Sequence, residues 1–410
     1  MKKIYILALL TAITSFGQVT KRVLFLGNSY TGVNDLPSLT QQVTASTGNT
    51  LIIDSNTPGG HTFQGHSTNA TSIQKIQLGN WDFVVLQEQS QIPSFPIGYV
   101  TTNCYPYATS LNSTILQYNP CAETVFYMTW GRENGDSQNC ATHPPVCTYE
   151  GMDNLLSERY IEMANSNNAI ISPVGAVWRY LRTNHPTLNL YSGDGSHPSI
   201  LGSYAAACTF NTVLFRNNPD LITFNSTLSV TDATIIKNAV KIVVYNNLST
   251  WNVGDFDTTA SFTSNLISNL QFQFTNTSTN GTSYLWDFGD GTTSTDVNPI
   301  HTYSTIENFN VVLTTTNCGV SKQANEFINL LSLDEFENNS FTIYPNPVTD
   351  FLKIKSKEET FSVEIYNSIS QLIFQDKNTN EIDVSKYHSG IYFIKITENL
   401  KTETYQFIKK

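Results

Sequence analysis

The chain has 410 residues, of which 40% are hydrophobic and only 13% are charged. This length is too great for one ordinary domain and predicts two or three. The formal net charge of −11, without any basic stripe, argues against nucleic acid or anionic lipid as partners.

The N-terminus has the pattern of a secretory signal. Lys2 and Lys3 precede an apolar run at 4–13, and small residues follow it. A membrane helix needs about 20 apolar residues, so this run is too short to span a bilayer. We predict a signal peptide over residues 1–17. No later segment reaches the length of a membrane span, so we expect a secreted or surface-attached protein.

Residues 18–250 alternate short apolar strands with helices. We predict strands at 22–26, 50–54, 83–86, 124–128 and 169–171, and the clearest helices at 149–165 and 198–215. This alternation predicts an α/β domain in which helices cover both faces of a parallel sheet. Ligands in such folds collect at the carboxyl ends of the strands.

A serine follows the first predicted strand directly. It stands in the run Gly27-Asn28-Ser29-Tyr30, where its hydroxyl would project into the cleft at the carboxyl edge of the sheet. The backbone N–H of Ser29, near the start of the next helix, can also face a developing oxyanion. Serines are common where strands end, so this run alone is weak evidence for a nucleophile.

An acid and a base occur together late in the same domain. Asp194 and His197 lie three residues apart, just before a predicted helix. A serine hydroxyl becomes a good nucleophile when an imidazole takes its proton and a carboxylate orients that imidazole. Gly195 allows the loop to turn back, and Pro198 is expected in the first helical turn. The alternative is a surface histidine at a helix N-terminus.

Taken together, the two runs resemble the first and fifth sequence blocks of the SGNH/GDSL hydrolases. The resemblance implies a three-layer, flavodoxin-like fold with Ser29 as nucleophile, His197 as general base and Asp194 as its orienting partner. Members commonly have Gly-Asp-Ser in the first block, and Asn28 replaces that aspartate here. Asparagine keeps the shape and the hydrogen-bonding capacity of the side chain.

The same resemblance implies two further oxyanion donors, a glycine N–H after the second strand and an asparagine amide after the third. Gly60 is our choice for the first donor, with Gly59 close behind. The third strand is followed by no asparagine, and a glutamine amide can donate the same bond with one more methylene of reach. Counting against the family pattern selects Gln89, while Gln87 and Gln91 remain possible. This departure loosely resembles members with Gln-Gly-Glu-Ser at this position.

Three other residues are candidates for substrate binding. Trp130 and Arg132 follow the fourth strand at the same edge, where the indole could stack on a sugar and the guanidinium could bind a carboxylate. Asn28 lies beside the nucleophile. The alternative places the tryptophan in the core and makes the arginine a surface cap.

Metal and cofactor sites are not expected. His61 and His66 lie five residues apart on a glycine-rich loop, where we expect them to be solvated. The chain has six cysteines and no CxxC pair, so we predict no structural zinc. Cys208 is expected to be a buried free thiol, and Cys318 to be unpaired.

The cysteines fit an oxidising compartment. Cys140 and Cys147 flank a proline-containing loop, and Cys104 and Cys121 bracket one predicted helix. Both pairs are plausible local disulfides.

After residue 250 the segments become short, β-branched and rich in Thr, Ser and Asn. The run 286–291 reads Trp-Asp-Phe-Gly-Asp-Gly, and His-Thr-Tyr follows at 301–303. A tight Gly/Asp turn between strands predicts a small β-sandwich. The segment 260–332 resembles a PKD domain, which we expect to be a spacer or a weak glycan binder rather than a catalytic unit.

The last segment, 338–410, has Tyr-Pro-Asn-Pro at 344–347 and Gly-Ile-Tyr-Phe-Ile-Lys-Ile at 390–396. Its alternating pattern predicts a second all-β sandwich with strands at 361–365, 371–374 and 391–396. It resembles the C-terminal sorting domain of the Bacteroidetes type IX secretion system. The resemblance implies that the secretion machinery is a partner and that the protein crosses the outer membrane.

These patterns lead to the hypothesis of a secreted serine esterase that deacylates, and specifically deacetylates, a carbohydrate. Two alternatives remain. The first is a non-catalytic glycan-binding or adhesion protein, and the second is a lipid or thioester hydrolase on the same site. A lipid enzyme would be expected to have long apolar loops around the site, and we find none that are convincing.

Overall fold

A computed structural model describes residues 18–268, 270–330, 341–356, 360–398 and 401–410. The chain divides into two compact units, Met1–Asp257 and Thr258–Lys410. The predicted signal peptide, residues 1–17, lies outside the described residues. Among the described helices, none is both long and apolar enough to cross a lipid bilayer.

The first unit is built on a five-stranded parallel sheet, as predicted. Its strands are β1 (Thr20–Leu26), β2 (Thr50–Asn56), β3 (Phe83–Leu86), β4 (Glu123–Tyr127) and β5 (Ile170–Ser172). The strand order is β2-β1-β3-β4-β5, which is the flavodoxin-like order. The residues 23–26 of β1 and all of β3 are buried because both faces of the sheet are covered.

Ten helices surround this sheet in the described part of the unit. They are α1 (Ser29–Gly32), α2 (Leu36–Ala45), α3 (Phe63–Thr68), α4 (Ala70–Ile76), α5 (Ile97–Asn103), α6 (Tyr105–Tyr118), α7 (Tyr149–Ser166), α8 (Val174–Asn184), α9 (Ile200–Phe215) and α10 (Val230–Val243). Helices α2, α8, α9 and α10 pack with one another, and α3 to α7 form a second packed group. The predicted α/β class with helices on both faces is confirmed.

Helix α9 is buried on all sides, since every residue from 202 to 214 is buried, including the polar Thr209 and Asn211. A helix of this kind belongs in the interior of a layer. It begins at Ile200, and the Ser199 hydroxyl accepts from the N–H of Gly202 at 3.2 Å. Pro198 therefore precedes the helix instead of lying in its first turn, which corrects the predicted start. Cys208 is a buried free thiol on this helix, as predicted.

The predicted cysteine pairs have different outcomes. Cys140 and Cys147 form a disulfide with a Cα–Cα distance of 4.7 Å, which confirms that prediction. The predicted Cys104–Cys121 bridge is wrong, because Cys104 is a buried free thiol. Helix α6 lies between the two positions and spans about 21 Å, whereas a disulfide needs Cα atoms within about 7 Å. Cys318, predicted to be unpaired, is disulfide-bonded.

The second unit consists of antiparallel sheets. The first two sheets have the orders β10-β7-β6 and β12-β11-β8-β9. Their strands are β6 (Phe262–Ser268), β7 (Gln271–Asn276), β8 (Ser283–Asp287), β9 (Thr293–Ser294), β10 (Ile300–Thr302), β11 (Asn308–Asn317) and β12 (Val320–Asn329). Alternate residues of β11, including Val311 and Leu313, are buried against Trp286 and Phe274. The predicted alternation therefore marks the inner face.

The motif residues of this sandwich fold their own turn. His301 Nε2 lies 2.8 Å from Asp290 Oδ2, and the imidazole stacks on Phe288 with 4.0 Å between the ring centroids. The Tyr303 hydroxyl donates to the Phe288 carbonyl at 3.1 Å. Gly289 has φ +80°, a conformation that side chains with a Cβ rarely adopt. These residues hold a turn together, which is a structural role.

The last two sheets have the orders β13-β14-β17 and β16-β15-β18-β19. Their strands are β13 (Phe341–Tyr344), β14 (Phe351–Ser356), β15 (Ser362–Asn367), β16 (Leu372–Lys377), β17 (Glu381–Asp383), β18 (Gly390–Glu398) and β19 (Lys401–Lys409). They enclose a separate apolar core that includes Val363, Ile394 and Phe407. The two predicted all-β segments after the α/β domain are confirmed.

Candidate active site

Ser29 is the first residue of helix α1, directly beyond the carboxyl end of β1. The Asn28 side chain caps this helix, since its Oδ1 accepts from the N–H of Tyr30 at 3.1 Å. Its Nδ2 donates to the His61 carbonyl at 2.9 Å, which ties the loop that contains Gly60 to the nucleophile turn. Asn28 is buried and its side chain is engaged at both ends. It shapes the site, and this corrects its assignment as a substrate contact.

The loop with Asp194 and His197 turns back on itself as expected. The N–H of Ser192 donates to the His197 carbonyl at 2.8 Å, and the N–H of Gly195 donates to the Ser192 carbonyl at 3.0 Å. Gly195 has φ +65°, so glycine is needed at the tip of the turn. This tight loop brings the acid and the base to the same side.

A continuous set of hydrogen bonds joins the three predicted catalytic residues. His197 Nε2 lies 2.8 Å from Ser29 Oγ, and His197 Nδ1 lies 2.5 Å from Asp194 Oδ2. A carboxylate can only accept, so Nδ1 carries the proton and Nε2 is left to accept from the serine hydroxyl. This is the tautomer that a general base requires.

The Asp194 carboxylate is also held by the backbone of its own loop. Its Oδ1 accepts from the N–H of Ser196 at 3.0 Å, from the N–H of His197 at 2.9 Å and from the Ser192 hydroxyl at 2.8 Å. Partial burial by itself would raise the pKa of Asp194. The hydrogen bonds from His197, Ser196 and Ser192 outweigh that cost and hold the pKa well below its usual range. The carboxylate therefore stays ionised beside the imidazole.

Tyr30 packs against the loop and the imidazole of the base, a role that sequence reasoning missed. Its hydroxyl lies 2.6 Å from Ser196 Oγ, and its ring meets the His197 imidazole edge-on with 5.3 Å between centroids. The opposite contact is a stack on Trp130, with centroids 4.9 Å apart and planes 5° apart. Only its position next to the serine could have suggested this role.

Trp130 is buried, with both faces of its indole covered. One face stacks on Tyr30 and the other on Trp178, 3.7 Å away between centroids. Its Nε1 donates to the Ser196 carbonyl at 3.1 Å. No face is left for a sugar, so the alternative of a core tryptophan is correct. Trp130 instead supports the loop of the acid and the base.

The Arg132 guanidinium already has a carboxylate partner within the protein. Its Nη1 lies 3.2 Å from Oδ1 of Asp136, whose side chain is fully buried. Asp136 Oδ2 also accepts from Nε2 of Gln91 at 2.8 Å. Arg132 is thus neither a free cap nor an uncommitted anion site, and the Gln91 amide is used for structure.

The three candidate glutamines occupy different environments. Gln87 is buried, and its Oε1 accepts from the N–H of Asn28 and from the Thr31 hydroxyl, both at 2.9 Å. Its Nε2 donates to the Glu88 carbonyl. Both ends of this amide are used inside the protein, which corrects its place among the oxyanion donors. Gln89 is only half-buried, and its amide contacts Gln91 Oε1 at 3.2 Å.

Gly60 lies on the loop between β2 and α3, next to the His61 carbonyl that Asn28 holds. It has φ +67°, and the space beyond its Cα is open. The predicted donor therefore sits on a loop attached to the nucleophile turn. Gly59 has equally open surroundings.

His66 is buried, which corrects the expectation that it is solvated. Its Nε2 donates to the Gly27 carbonyl at 2.8 Å, and its Nδ1 lies 2.7 Å from the Ser72 hydroxyl. Burial lowers its pKa to about 4, so the ring is neutral near pH 7. Among the described residues, no three His, Cys, Asp or Glu side chains form a metal-binding group. His66 serves to hold the end of β1.

Glu88 is the second important residue that sequence reasoning missed. Its side chain is buried, and Phe63 N–H donates to Oε1 and Oε2 at 3.0 and 3.1 Å. Gln89 N–H donates to Oε1 at 2.6 Å. The only signal in the sequence was a charged residue type two positions after an apolar strand. Buried carboxyl groups are rare, so this signal does not by itself predict burial.

Two family models match the C-terminal part of the chain. Residues 250–329 match the PKD domain, and residues 342–410 match the secretion system C-terminal sorting domain. The chain therefore carries both modules, and the second indicates export by the secretion machinery. The PKD1 domain of the Vibrio cholerae metalloprotease PrtV is 36% identical, covers 17% of this chain and 93% of its own, and has a TM-score of 0.17. A search of curated proteins found no match.

Solved structures similar to the α/β unit include SGNH and GDSL hydrolases. A DUF4886 family protein from Bacteroides uniformis is 17% identical, covers 56% of this chain and 95% of its own, and has a TM-score of 0.47. A psychrotrophic esterase, EstA from Pseudoalteromonas sp., is 12% identical, covers 48% of this chain and 97% of its own, and has a TM-score of 0.36.

Proposed function

We propose that the α/β unit is a serine esterase that hydrolyses carboxylic esters. The observation that carries this proposal is the hydrogen-bonded series from Asp194 through His197 to Ser29, with distances of 2.5 and 2.8 Å. These distances allow Ser29 Oγ to donate to His197 Nε2 while Nδ1 donates to Asp194, which are the directions that nucleophilic catalysis requires. Such a constellation is recognised by geometry and roles rather than by fold.

Ser29 Oγ attacks the ester carbonyl while His197 Nε2 takes its proton, which forms a tetrahedral oxyanion. The imidazolium is stabilised by the ionised Asp194 carboxylate. Collapse of the intermediate breaks the bond to the alcohol, and His197 returns the proton to that leaving oxygen. Water then attacks the acyl-serine with His197 again as base, which releases the acid and restores the Ser29 hydroxyl.

The oxyanion is assigned to three donors, namely the N–H of Ser29, the N–H of Gly60 and the side-chain amide of Gln89. The cap at Asn28 accepts from Tyr30 and not from Ser29, which supports the first assignment. Gln89 is favoured because its half-buried amide binds only its neighbours Ser90 and Gln91. The amides of Gln87 and Gln91 donate instead to the Glu88 carbonyl and to the buried Asp136 carboxylate. A single donor of this kind typically contributes about 10²–10³ in rate.

The substrate class we propose is an acylated, specifically acetylated, carbohydrate. The acid and base are open to solvent, since 33% of the His197 side chain and 50% of the Asp194 side chain are exposed. An open site admits an ester on a bulky polymer, whereas a long acyl chain would need an enclosed apolar cavity. An exported chain with a PKD domain would meet such polymers outside the cell.

The test is turnover of 4-nitrophenyl acetate and of an acetylated oligosaccharide by the full chain. Ser29→Ala is compared with Ser110→Ala, which removes an exposed hydroxyl on α6. We expect loss of activity in Ser29→Ala alone, and labelling of Ser29 in the wild type by a phosphonate ester. A wild type that neither hydrolyses any ester nor takes up the label would refute the proposed esterase activity. Preference for long-chain esters would instead favour a lipid hydrolase.

A further inference from the structure

The fully buried Glu88 carboxyl joins the two segments to which the second and third oxyanion donors are assigned. One partner, the N–H of Phe63, begins α3 and ends the loop that contains Gly60. The other, the N–H of Gln89, belongs to the segment after β3. These segments follow different strands, and one side chain accepts from both of them.

The other groups that face Glu88 come from the helices packed against it. The Cys104 thiol, between α5 and α6, interacts with the carboxyl, and its Sγ lies 3.7 Å from Met163 Sδ. The Tyr160 hydroxyl on α7 accepts from the Glu88 N–H at 3.3 Å. Burial raises the pKa of Cys104, Tyr160 and Glu88, the last to about 8, so all three are neutral at neutral pH. A buried polar group is costly unless it is hydrogen-bonded, and the N–H groups of Phe63 and Gln89 supply those bonds to the carboxyl.

We infer that Glu88 is a positioning residue that sets the distance between the Gly60 loop and the Gln89 segment, and so aligns the oxyanion donors with Ser29. This inference rests on the proposed esterase function. Donors to an oxyanion act only when they are held within a few tenths of an ångström of their place. The carboxyl achieves this by accepting from one backbone N–H on each side of the gap.

The experiment compares Glu88→Ala and Glu88→Gln with Asn119→Ala in the full chain. Asn119 is also buried and also binds loop backbone, accepting from the N–H of Trp81 at 3.2 Å and donating to the Ile76 carbonyl at 2.8 Å. It lies before the amino end of β4, whereas Ser29 lies beyond the carboxyl end of β1. The readouts are kcat and KM on 4-nitrophenyl acetate, and hydrogen exchange of peptides covering residues 57–68 and 86–94.

We expect Glu88→Ala to lower kcat about 10²-fold with KM within about threefold, and to speed exchange in both peptides. Glu88→Gln keeps an acceptor oxygen at the Oε1 position, so it should retain kcat within about tenfold. Asn119→Ala should keep kcat although it lowers stability. The inference fails if Glu88→Ala and Asn119→Ala have equal kcat, or if only one peptide is affected.

If Glu88→Ala does not fold, hydrogen exchange in the wild type tests the inference instead. The N–H groups of Phe63 and Gln89 should then be as protected as those of the central strands, and Glu88→Gln should leave them so. Rapid exchange at either position overturns the inference. If the wild type cleaves no ester, the proposed function has failed, whereas the exchange data still decide whether Glu88 holds the two segments together.

Discussion

His197 Nε2 accepts from Ser29 Oγ across 2.8 Å, although the two residues are 168 positions apart in the chain. The strand order of the sheet makes this contact possible. Ser29 follows β1, which lies between β2 and β3, and His197 lies on the loop before α9, which packs beside α2. The proposed proton transfer from the serine to the imidazole depends on this contact.

Replacing the acid with its neutral isostere should remove the correct imidazole tautomer. In Asp194→Asn the amide can donate to Nδ1, which would leave Nε2 protonated and unable to accept from Ser29. We expect kcat to fall by about 10⁴-fold while the fold is retained. Asp220→Asn, at an exposed carboxylate paired with Lys241, is the control. Equal activity of the two variants would show that Asp194 does not orient the base.

The glutamine series should separate catalysis from structure. Gln89→Ala should lower kcat about 10²–10³-fold at unchanged stability, since its amide is assigned to the oxyanion. Gln87→Ala should mainly lower the thermal midpoint, because Gln87 binds Asn28 and Thr31. Steady-state kinetics and thermal unfolding of the same preparations check both. Full kcat in Gln89→Ala would remove glutamine from the oxyanion site.

The hydroxyls of Tyr30 and Ser196 should affect kcat through the single hydrogen bond that joins them beside His197. Tyr30→Phe keeps the stack on Trp130 and loses the hydroxyl contact with Ser196 Oγ. One hydrogen bond of about 1 kcal/mol corresponds to a fall of about fivefold in kcat. Ser196→Ala should show a similar fall, and the double variant should be no worse than either single one. Multiplying effects would mean that the two hydroxyls act separately.

His66 should make the α/β unit sensitive to acid. Its pKa is lowered from 6.5 to about 4 on folding, so the unfolded chain binds the proton first as the pH falls. The contribution of His66 to stability should therefore decrease from about pH 6.5 down to pH 4, by about 3 kcal/mol in total. Thermal unfolding of wild type and His66→Gln across this range measures the difference. His185→Gln, at a less buried histidine of the same unit, should retain the wild-type slope.

Glu88 should make stability depend on pH in the opposite direction, between about pH 4.5 and pH 8. Its pKa is raised from 4.5 to about 8 in the folded protein, so the folded state holds a proton that the unfolded chain has released. The contribution of Glu88 to stability should be greatest below about pH 4.5 and should fall as the pH rises to about 8. Glu88→Gln cannot ionise and should have a flatter profile over that range. Parallel profiles for the two proteins would contradict a neutral buried Glu88.

Much of the fold could be predicted because its signals are local. The apolar strand before Ser29 and the Gly-Asp turn of the PKD domain depend on residues that are close in sequence. The predicted start of α9 failed by two residues, since Pro198 and Ser199 are both good residues for a helix beginning. The predicted Cys104–Cys121 pair failed because helix α6, about 21 Å long, lies between the two cysteines.

The sequence alone determined the order of the parts and the residue types that can carry the chemistry, Ser29, Asp194 and His197. These residues follow local rules of strand ends and tight turns. The tertiary structure decided how their neighbours are used: it covered both faces of Trp130, engaged the Gln87 amide and buried Glu88 between two loops. Those outcomes depend on packing between distant segments, where each polar group must find a partner, and no local pattern encodes them.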